Sequence, residues 1–360
     1  MTSRTTDVLV LGGGMAGVSV GAQLAADRQV TVLDQEATFA FHTTGRSAAM
    51  FLETYGGPVI RALTVASRAL FDELDLLTPL PSLNVGLRGH GDAIRDMYAS
   101  TRALAPDVEL LSPEEAAALQ PLLRPECIEL ALLEPGAQEI DVHGLHQHYV
   151  RTLRTRGGHT KVSAGAVSAC RAHGVWTVVD TTGTSWQAPM VINAAGAWAD
   201  DVAGRFGGIR VGLQPLRRTA FLVDAPPSAA APMFGDVPDS FYVKPDTGRL
   251  LCSPADETPQ APADARPDEL EIARAIQTIN EVTTLDIRHV RSAWAGLRSF
   301  VADRTPVVGF DPVAEGLFWL AGQGGYGIQT APALARTAAA LARGEDAEHA
   351  AALDPARLVD

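Results

Sequence analysis

The stretch VLVLGGGMAGVSVGAQLAADRQVTVLDQE near the start constrains the fold more than any other part of the chain. Val8 to Leu11 is a short, wholly apolar run; the glycines follow, then Met15, Val18, Ala22 and Ala25 at helical spacing, and Gln29 to Leu33 returns to a strand pattern. This is a β-α-β unit. Gly12, Gly14 and Gly17 form G-x-G-x-x-G between its first strand and its helix, the arrangement that permits a tight turn, close approach of a diphosphate and close helix packing. Asp34 closes the second strand, where an acid accepts hydrogen bonds from a ribose diol. A dinucleotide is therefore expected, and NAD and FAD satisfy this much equally.

The rest of the chain organises around that unit. A second helix is expected from Arg61, with Leu63, Ala66, Leu70, Leu74 and Leu77 on one face, ending at TPLPS. A third starts at Ser112, which with Pro113 and Glu115 makes a capping box. VWTVVDTTGTSWQ reads as a hairpin, PMVINAAGAWAD as a buried strand breaking at glycine into a helix, and 224–239 and 253–268 as surface loops. GLFWLAGQGGYGIQTAPALARTAAALARG is again strand, glycine turn and helix, ending at Gly344. Nucleotide-binding elements thus stand at the beginning, middle and end. The fold class expected is α/β: a Rossmann-like nucleotide-binding domain assembled from 1–78, 140–206 and 291–360, with a second domain from 79–139 and 207–290 inserted between its segments.

Bulk properties narrow the partners. A formal charge of −13 repels nucleic acid, and no basic run exceeds the pair Arg217 and Arg218. The same charge opposes an anionic small molecule, so a carboxylate ligand needs arginines placed for it. No run of about 18 apolar residues occurs, and MTSRTTDVLV leads straight into a strand without a secretory leader, so a cytoplasmic protein with no membrane span is expected. Cys127, Cys170 and Cys252 show no metal or disulfide spacing and read as simple thiols. His143, His146 and His148 do not share one helix face and read as solvent-exposed, so no metal site is expected.

Downstream of Asp34, FAFHTTGRSAAMF separates the two nucleotides, because its consecutive small and hydroxyl residues can hydrogen-bond a flavin ring or diphosphate. GGGMAG, HTTGRSAAM, VINAAGAWAD and AGQGGYGIQTAP, in that order, resemble the D-amino acid oxidase superfamily of flavoproteins. GRSAAM, LQPLRRTAF, SFYVKPDTG and WAGLRSFVADRTPVVG are most similar to its bacterial D-arginine/D-amino acid dehydrogenase branch. The resemblance implies non-covalent FAD held by Gly12, Gly14, Met15, Ala16, Gly17, Asp34, Gln35, Thr43, Thr44, Arg46, Ser47, Ala48, Ala49, Val167, Ala195, Gly196, Trp198 and Arg298, with Gly324, Gly325, Tyr326, Gly327, Ile328 and Gln329 passing over or beside the ring.

The resemblance also implies that the second domain is an α+β substrate domain with a mixed or antiparallel sheet. It implies the chemistry too: oxidation of the α-carbon of a D-amino acid to the imino acid, by hydride transfer to flavin N5. Such a reaction needs its carboxylate clamped, and arginine's planar fork does this best. Arg218 and Arg298 match the family's carboxylate-binding positions, Arg217 pointing the other way along a strand, while Tyr242 and Tyr55 match its active-site tyrosines. Two departures stand out. Met50 replaces a histidine of that branch, and PLPSLNVGLR holds no acid to meet a guanidinium, Asn84 being the nearest polar group. These point away from D-arginine and toward neutral, apolar or secondary-amine substrates such as sarcosine, proline or a biosynthetic amine. Oxygen, a quinone and a redox protein all stay open as electron acceptor, and a flavin-binding redox sensor without turnover is the reading from outside enzymology.

Overall fold

Alternation along one strand sets the layers of the nucleotide-binding half. A computed structural model describes residues 3–103, 105–224 and 232–359. In the strand Val8–Leu11, Val8 and Val10 face a helical layer while Leu9 and Leu11 face the opposite side, which makes every residue of the run apolar and buried. The sheet built on it runs in the order His159–Lys161, Val30–Leu33, Val8–Leu11, Met190–Asn193, Leu317–Ala321 in parallel, with Val307–Phe310 antiparallel at its edge. Its strands come from separated segments, as expected. Helices Met15–Leu24, Val142–Thr155 and Ala331–Arg343 pack on one face. On the other lies a small sheet of Ser3–Thr5, Ser185–Ala188, Val175–Asp180 and Ala166–Ala172, whose Trp176, Val178 and Trp186 meet Leu9 and Leu11.

The second half is a larger sheet in the order Thr258–Pro259, Gln214–Asp224, Arg249–Ser253, Tyr242–Asp246, Met233–Asp236, Ser82–Leu87, Ile128–Glu134, Glu109–Leu111, with Ser292–Phe300 paired along Gln214–Asp224. All its pairings are antiparallel except that of Met233–Asp236 with Ser82–Leu87, so the sheet is mixed. One face packs on the helix Glu269–Val282 through Phe221, Val243, Cys252, Ile272 and Ile279. The other faces the nucleotide-binding half. Among the described residues no helix is long and apolar enough to cross a membrane.

The capping box at Ser112, the hairpin and the left-handed cap at Gly344 form as expected. Three expectations are corrected. The second helix is Pro58–Glu73; Asp75 then takes a left-handed turn, and Leu77 pairs with Ile140 in a strand instead of extending the helix. Its buried face carries Ile60, Leu63, Thr64, Ser67 and Phe71, while Ala66 is exposed; the two hydroxyls bond back to the carbonyls of Ile60 and Leu63 and so pass as apolar positions. Within 224–239, residues 225–231 lie outside the described residues, but Met233–Asp236 is a strand of the large sheet with Phe234 buried, and within 253–268 Ser253 to Asp256 are buried and Thr258–Pro259 pairs with Gln214–Asp224, so neither stretch is simply a surface loop.

Gly17 shows how little room the nucleotide-binding turn leaves. A Cβ there would lie 1.8 Å from the Gly12 carbonyl oxygen, a backbone atom that cannot yield without moving the helix. Gly17→Ala is expected to destabilise the fold by roughly 1–3 kcal/mol and to weaken retention of the bound nucleotide, read by thermal unfolding and by the ratio of flavin to protein absorbance.

Candidate active site

The site starts at the uncapped end of the first helix. Gly12 adopts φ +117°, and a Cβ there would meet the Ala194 carbonyl oxygen at 2.2 Å, so the first turn abuts the start of the mid-chain loop. Gly14 caps Met15–Leu24 without a side chain, and the first turn holds no acid, which leaves a positive helix end facing the cleft. Asp34 accepts from the Gly13 amide at 2.6 Å and from the Glu36 amide at 2.8 Å. Burial pushes its carboxyl above the ordinary range, with those two amides pulling the other way.

A loop closes over this turn. It enters at Ala40 and leaves at Ala49, both with positive φ, and the 3₁₀ turn Thr43–Arg46 lies between. Thr44 Oγ1 accepts from the Met15 amide at 3.0 Å, and Thr43 Oγ1 donates to the Leu297 carbonyl at 2.7 Å. Arg46 donates to the Ala295 carbonyl at 2.8 Å and the Ala265 carbonyl at 3.2 Å and pairs with Asp264 at 2.6 Å. Its guanidinium thus fastens the loop to the large sheet.

Two cavities that share Gly14, Thr43, Thr44, Ala194, Gly196 and Ala197 make one elongated cleft. One end is lined by Asp34, Gln35, Glu36, Ala195 and Trp198; the other by Met15, Ala16, Arg46, Ser47, Ala48, Gly324, Gly325, Gly327 and Ile328, where helix Ala331–Arg343 begins. An acid for a ribose, an uncapped helix end for a diphosphate and a glycine-rich wall for a flat ring lie in the order a dinucleotide needs. The glycines there are sterically required: a Cβ on Gly324 would lie 2.0 Å from Phe300, and one on Gly325 3.0 Å from the Arg298 guanidinium carbon.

A third chamber adjoins the ring end, sharing Ser47, Ala48, Arg218, Tyr242, Arg298, Gly325 and Ile328 with it. Strand register builds it. Arg218 stands opposite Gly296, and Leu216 opposite Arg298, so both arginines project from the same face of the antiparallel pair. Arg217 projects from the other and is held by Asp256 at 3.0 Å and Asp268 at 2.9 Å. Tyr242 lines both spaces. Arg298 donates to the Tyr55 hydroxyl at 3.2 Å. Burial works against its charge, but Tyr55, Tyr242, Asp239 and Glu257 outweigh burial and hold the guanidinium protonated. Met50, Ala49 and Asn84 complete the walls together with Ser82, Met233, Asp236, Asp239 and Phe241.

The structure places some expected residues elsewhere. Val167 is 56% exposed, and Ala164, Gly165 and Ala166 line the cleft in its place, because the strand pairing shifts register between Ala166 and Ser168. Tyr326 turns from the ring wall into a cluster with Ile60, Leu216 and Phe300. Gln329 lines the third chamber instead of the cleft for the ring and is buried there, donating to the Leu52 carbonyl at 3.2 Å and to Thr64 Oγ1 at 2.8 Å. Gly17 lies under Gly12 instead of on the cleft. His146 is buried rather than exposed, its Nε2 donating to the Gly13 carbonyl at 2.9 Å. Sequence reasoning also missed Leu297, Gln323 and the acids Asp236 and Asp239; Leu297 and Gln323 lie within the motifs WAGLRSF and AGQGGYG, whereas nothing local marks the acids as cleft residues.

The model of the DAO family, described as FAD dependent oxidoreductase, matches residues 7–341. The chain belongs to that family. Its cofactor is FAD. It is 26% identical to a glycine oxidase of Geobacillus kaustophilus strain HTA426 over 356 residues, covering 92% of this chain and 91% of the relative. The crystal structure of glycine oxidase from Geobacillus kaustophilus superposes with a TM-score of 0.87 at 22% identity, covering 98% of each chain. That of iminodiacetate oxidase from Chelativorans sp. BNC1 gives 0.82 at 22% identity, over 97% of this chain and 98% of the other. The architecture matches the FAD-binding fold of these enzymes.

His146 makes stability pH-dependent. Burial first, opposed by the bond to Gly13, holds its imidazole below the usual range, so the unfolded chain takes up the proton at a higher pH than the folded one. Stability is whole above about pH 6.5, the ordinary histidine value, and is lost as pH falls from there toward the depressed folded value. His146→Gln, whose amide can still donate to the carbonyl, is expected to shrink the drop in melting temperature between pH 7.5 and 5.5.

Proposed function

We propose that the protein oxidises the α-carbon of a small amino acid with a neutral side chain, in the D configuration, to the imino acid, which water hydrolyses to a 2-oxo acid and ammonia. The observation that carries this reading is the pair of same-face arginines, Arg218 and Arg298, at the boundary between the cleft for FAD and a chamber whose other walls are mostly apolar, with Met50, Met233 and Phe241 beside Asp236, which is tied to Ser240. Bound FAD supplies the two-electron acceptor for this chemistry.

The side chains orient the substrate. Arg298, half-buried and among the described residues bonded only to a tyrosine, receives the carboxylate through its fork, and Tyr55 and Tyr242 hydroxyls stand beside it. With that end fixed, the α-carbon lies toward Gly325 and Ile328, which the two spaces share, and the side chain toward Met50, Met233 and Phe241. Asp236 is engaged by the Ser240 and Phe241 amides and is unsuited to act as a base. The substrate amine therefore loses its proton to solvent before the α C–H bond breaks. The start of helix Ala331–Arg343 beside the ring wall favours negative charge gained there on reduction.

A second reading, oxidation of a secondary amine, is supported by the likeness to iminodiacetate oxidase and by the absence of an acid between Pro79 and Arg88. Anaerobic mixing with D- and L-amino acids, sarcosine and simple amines separates the readings through loss of the oxidised flavin absorbance. The expected outcome is bleaching by neutral D-amino acids; bleaching by sarcosine alone selects the second reading, and bleaching by none of them rejects both. Arg298→Met is expected to slow bleaching by roughly a hundredfold or more while FAD stays bound, since removing one partner of a desolvated charge pair has effects of that order.

A further inference from the structure

Arg218 is 7% exposed, yet its own protein does not satisfy it. Its Nε is buried without a hydrogen-bond partner among the described residues. Nη2 is shared by two carboxylates, Asp239 and Glu257, each at 3.3 Å, well outside the roughly 2.7–2.9 Å of a good charge-assisted bond. The two acids differ in what else holds them. Glu257 forms a two-bond pair with Arg304 at 2.7 and 3.0 Å, and that bonding holds its carboxyl below the usual range. Asp239 has a side chain 55% exposed, and among the described residues its carboxylate contacts Arg218 alone. It stands at a turn in the left-handed conformation, φ +55°, its amide donating to the Asp236 carbonyl at 3.0 Å.

Resting on the carboxylate-clamp reading above, we propose that Asp239 is a positioning residue: an internal carboxylate that occupies Arg218 when the chamber is free of substrate and is displaced when a substrate carboxylate arrives. A buried guanidinium left with only Glu257, itself committed to Arg304, would be poorly compensated, so a second carboxylate, a stand-in that keeps it charged and correctly aimed, has a purpose. The stand-in has to be weakly held, and each feature of Asp239 meets that need: exposure, one contact and a long one, and a turn residue whose side chain can swing into solvent without disturbing a strand. The unpartnered Nε edge of Arg218 is the part the stand-in fails to satisfy and an incoming carboxylate can. Arg298, which among the described residues has no acid in hydrogen-bonding contact, is then the first point of capture, and Arg218 closes the clamp as Asp239 leaves.

The inference is tested with the FAD-loaded enzyme and propionate, a carboxylate with no amine to oxidise, by titration calorimetry. Asp239→Asn and Asp239→Gly both tolerate a left-handed turn, so agreement between them reports loss of the charge and not damage to the turn. A long ion pair whose acid is exposed, competing with the ligand, predicts that propionate binds both variants about two- to fivefold more tightly than it binds the wild type. With an oxidisable substrate, KM falls by a similar factor and kcat does not rise. Equal or weaker propionate binding in both variants overturns the inference while leaving the clamp intact. Absence of propionate binding to wild type and variants alike overturns the clamp and the inference together.

Discussion

The antiparallel ladder between Gln214–Asp224 and Ser292–Phe300 is the contact on which the site depends. Its register places Arg218 and Arg298 on one face, and a one-residue slip of either strand would turn that strand's arginine to the other face. The same ladder offers the Ala295 and Leu297 carbonyls to Arg46 and Thr43 of the loop that covers the diphosphate-binding turn. One pairing therefore fixes the two arginines in the large sheet, the clamp of the proposed reading, and anchors the loop of the nucleotide-binding half. Neither could move far without the other. The glycine wall completes the lock, since Gly324 and Gly325 approach Phe300 and Arg298 from the far side so closely that a side chain would displace them.

On the proposed reading, electrostatics explains how an acidic protein would hold a carboxylate. Arg217 and Arg304 are each matched by acids at short distances, Asp256 and Asp268 for one and Glu257 for the other, so they add little field to the chamber. Arg298 is bonded to a neutral phenol, and Arg218 is paired only at long range. The positive potential is thereby confined to the end of the chamber nearest the ring wall. A substrate is oriented by that asymmetry more than it is attracted by net charge.

Much of this could be read from the chain alone. The glycine turn, Asp34 and the returning strand are adjacent in sequence, so steric requirement and periodicity expose them together. The opposite aim of Arg217 and Arg218 follows from strand alternation alone, and the structure bears it out through the ion pairs of Arg217. What stayed hidden depends on long-range packing. A register shift beside Ala166 exposes Val167, an aromatic cluster draws Tyr326 off the ring wall, and the partner of His146 is a carbonyl far away in the chain. Thr64 and Ser67 concealed the true face of their helix by satisfying their own hydroxyls. Asp236 and Asp239 reach the chamber because Met233–Asp236 joins the sheet through a parallel pairing with Ser82–Leu87, which no local pattern announces.

That parallel pairing also shapes selectivity. It brings Met233 and Gly235 alongside Ser82 and Asn84, so the side-chain end of the chamber is framed by two thioethers, Met50 and Met233, with Phe241 and one amide. Thioethers adapt to ligand shape at small energetic penalty, and a hydrophobic wall distinguishes one methylene by only about 1–3 kcal/mol. A desolvated guanidinium facing an analogue that lacks the carboxylate is far less forgiving, because its charge is then left uncompensated. On the proposed reading, the chamber separates amino acids from simple amines sharply and one neutral side chain from another weakly. That division follows from where the sheet puts its free charge, at the ring end, while Asp236 on the opposite wall is tied to Ser240 and the Phe241 amide.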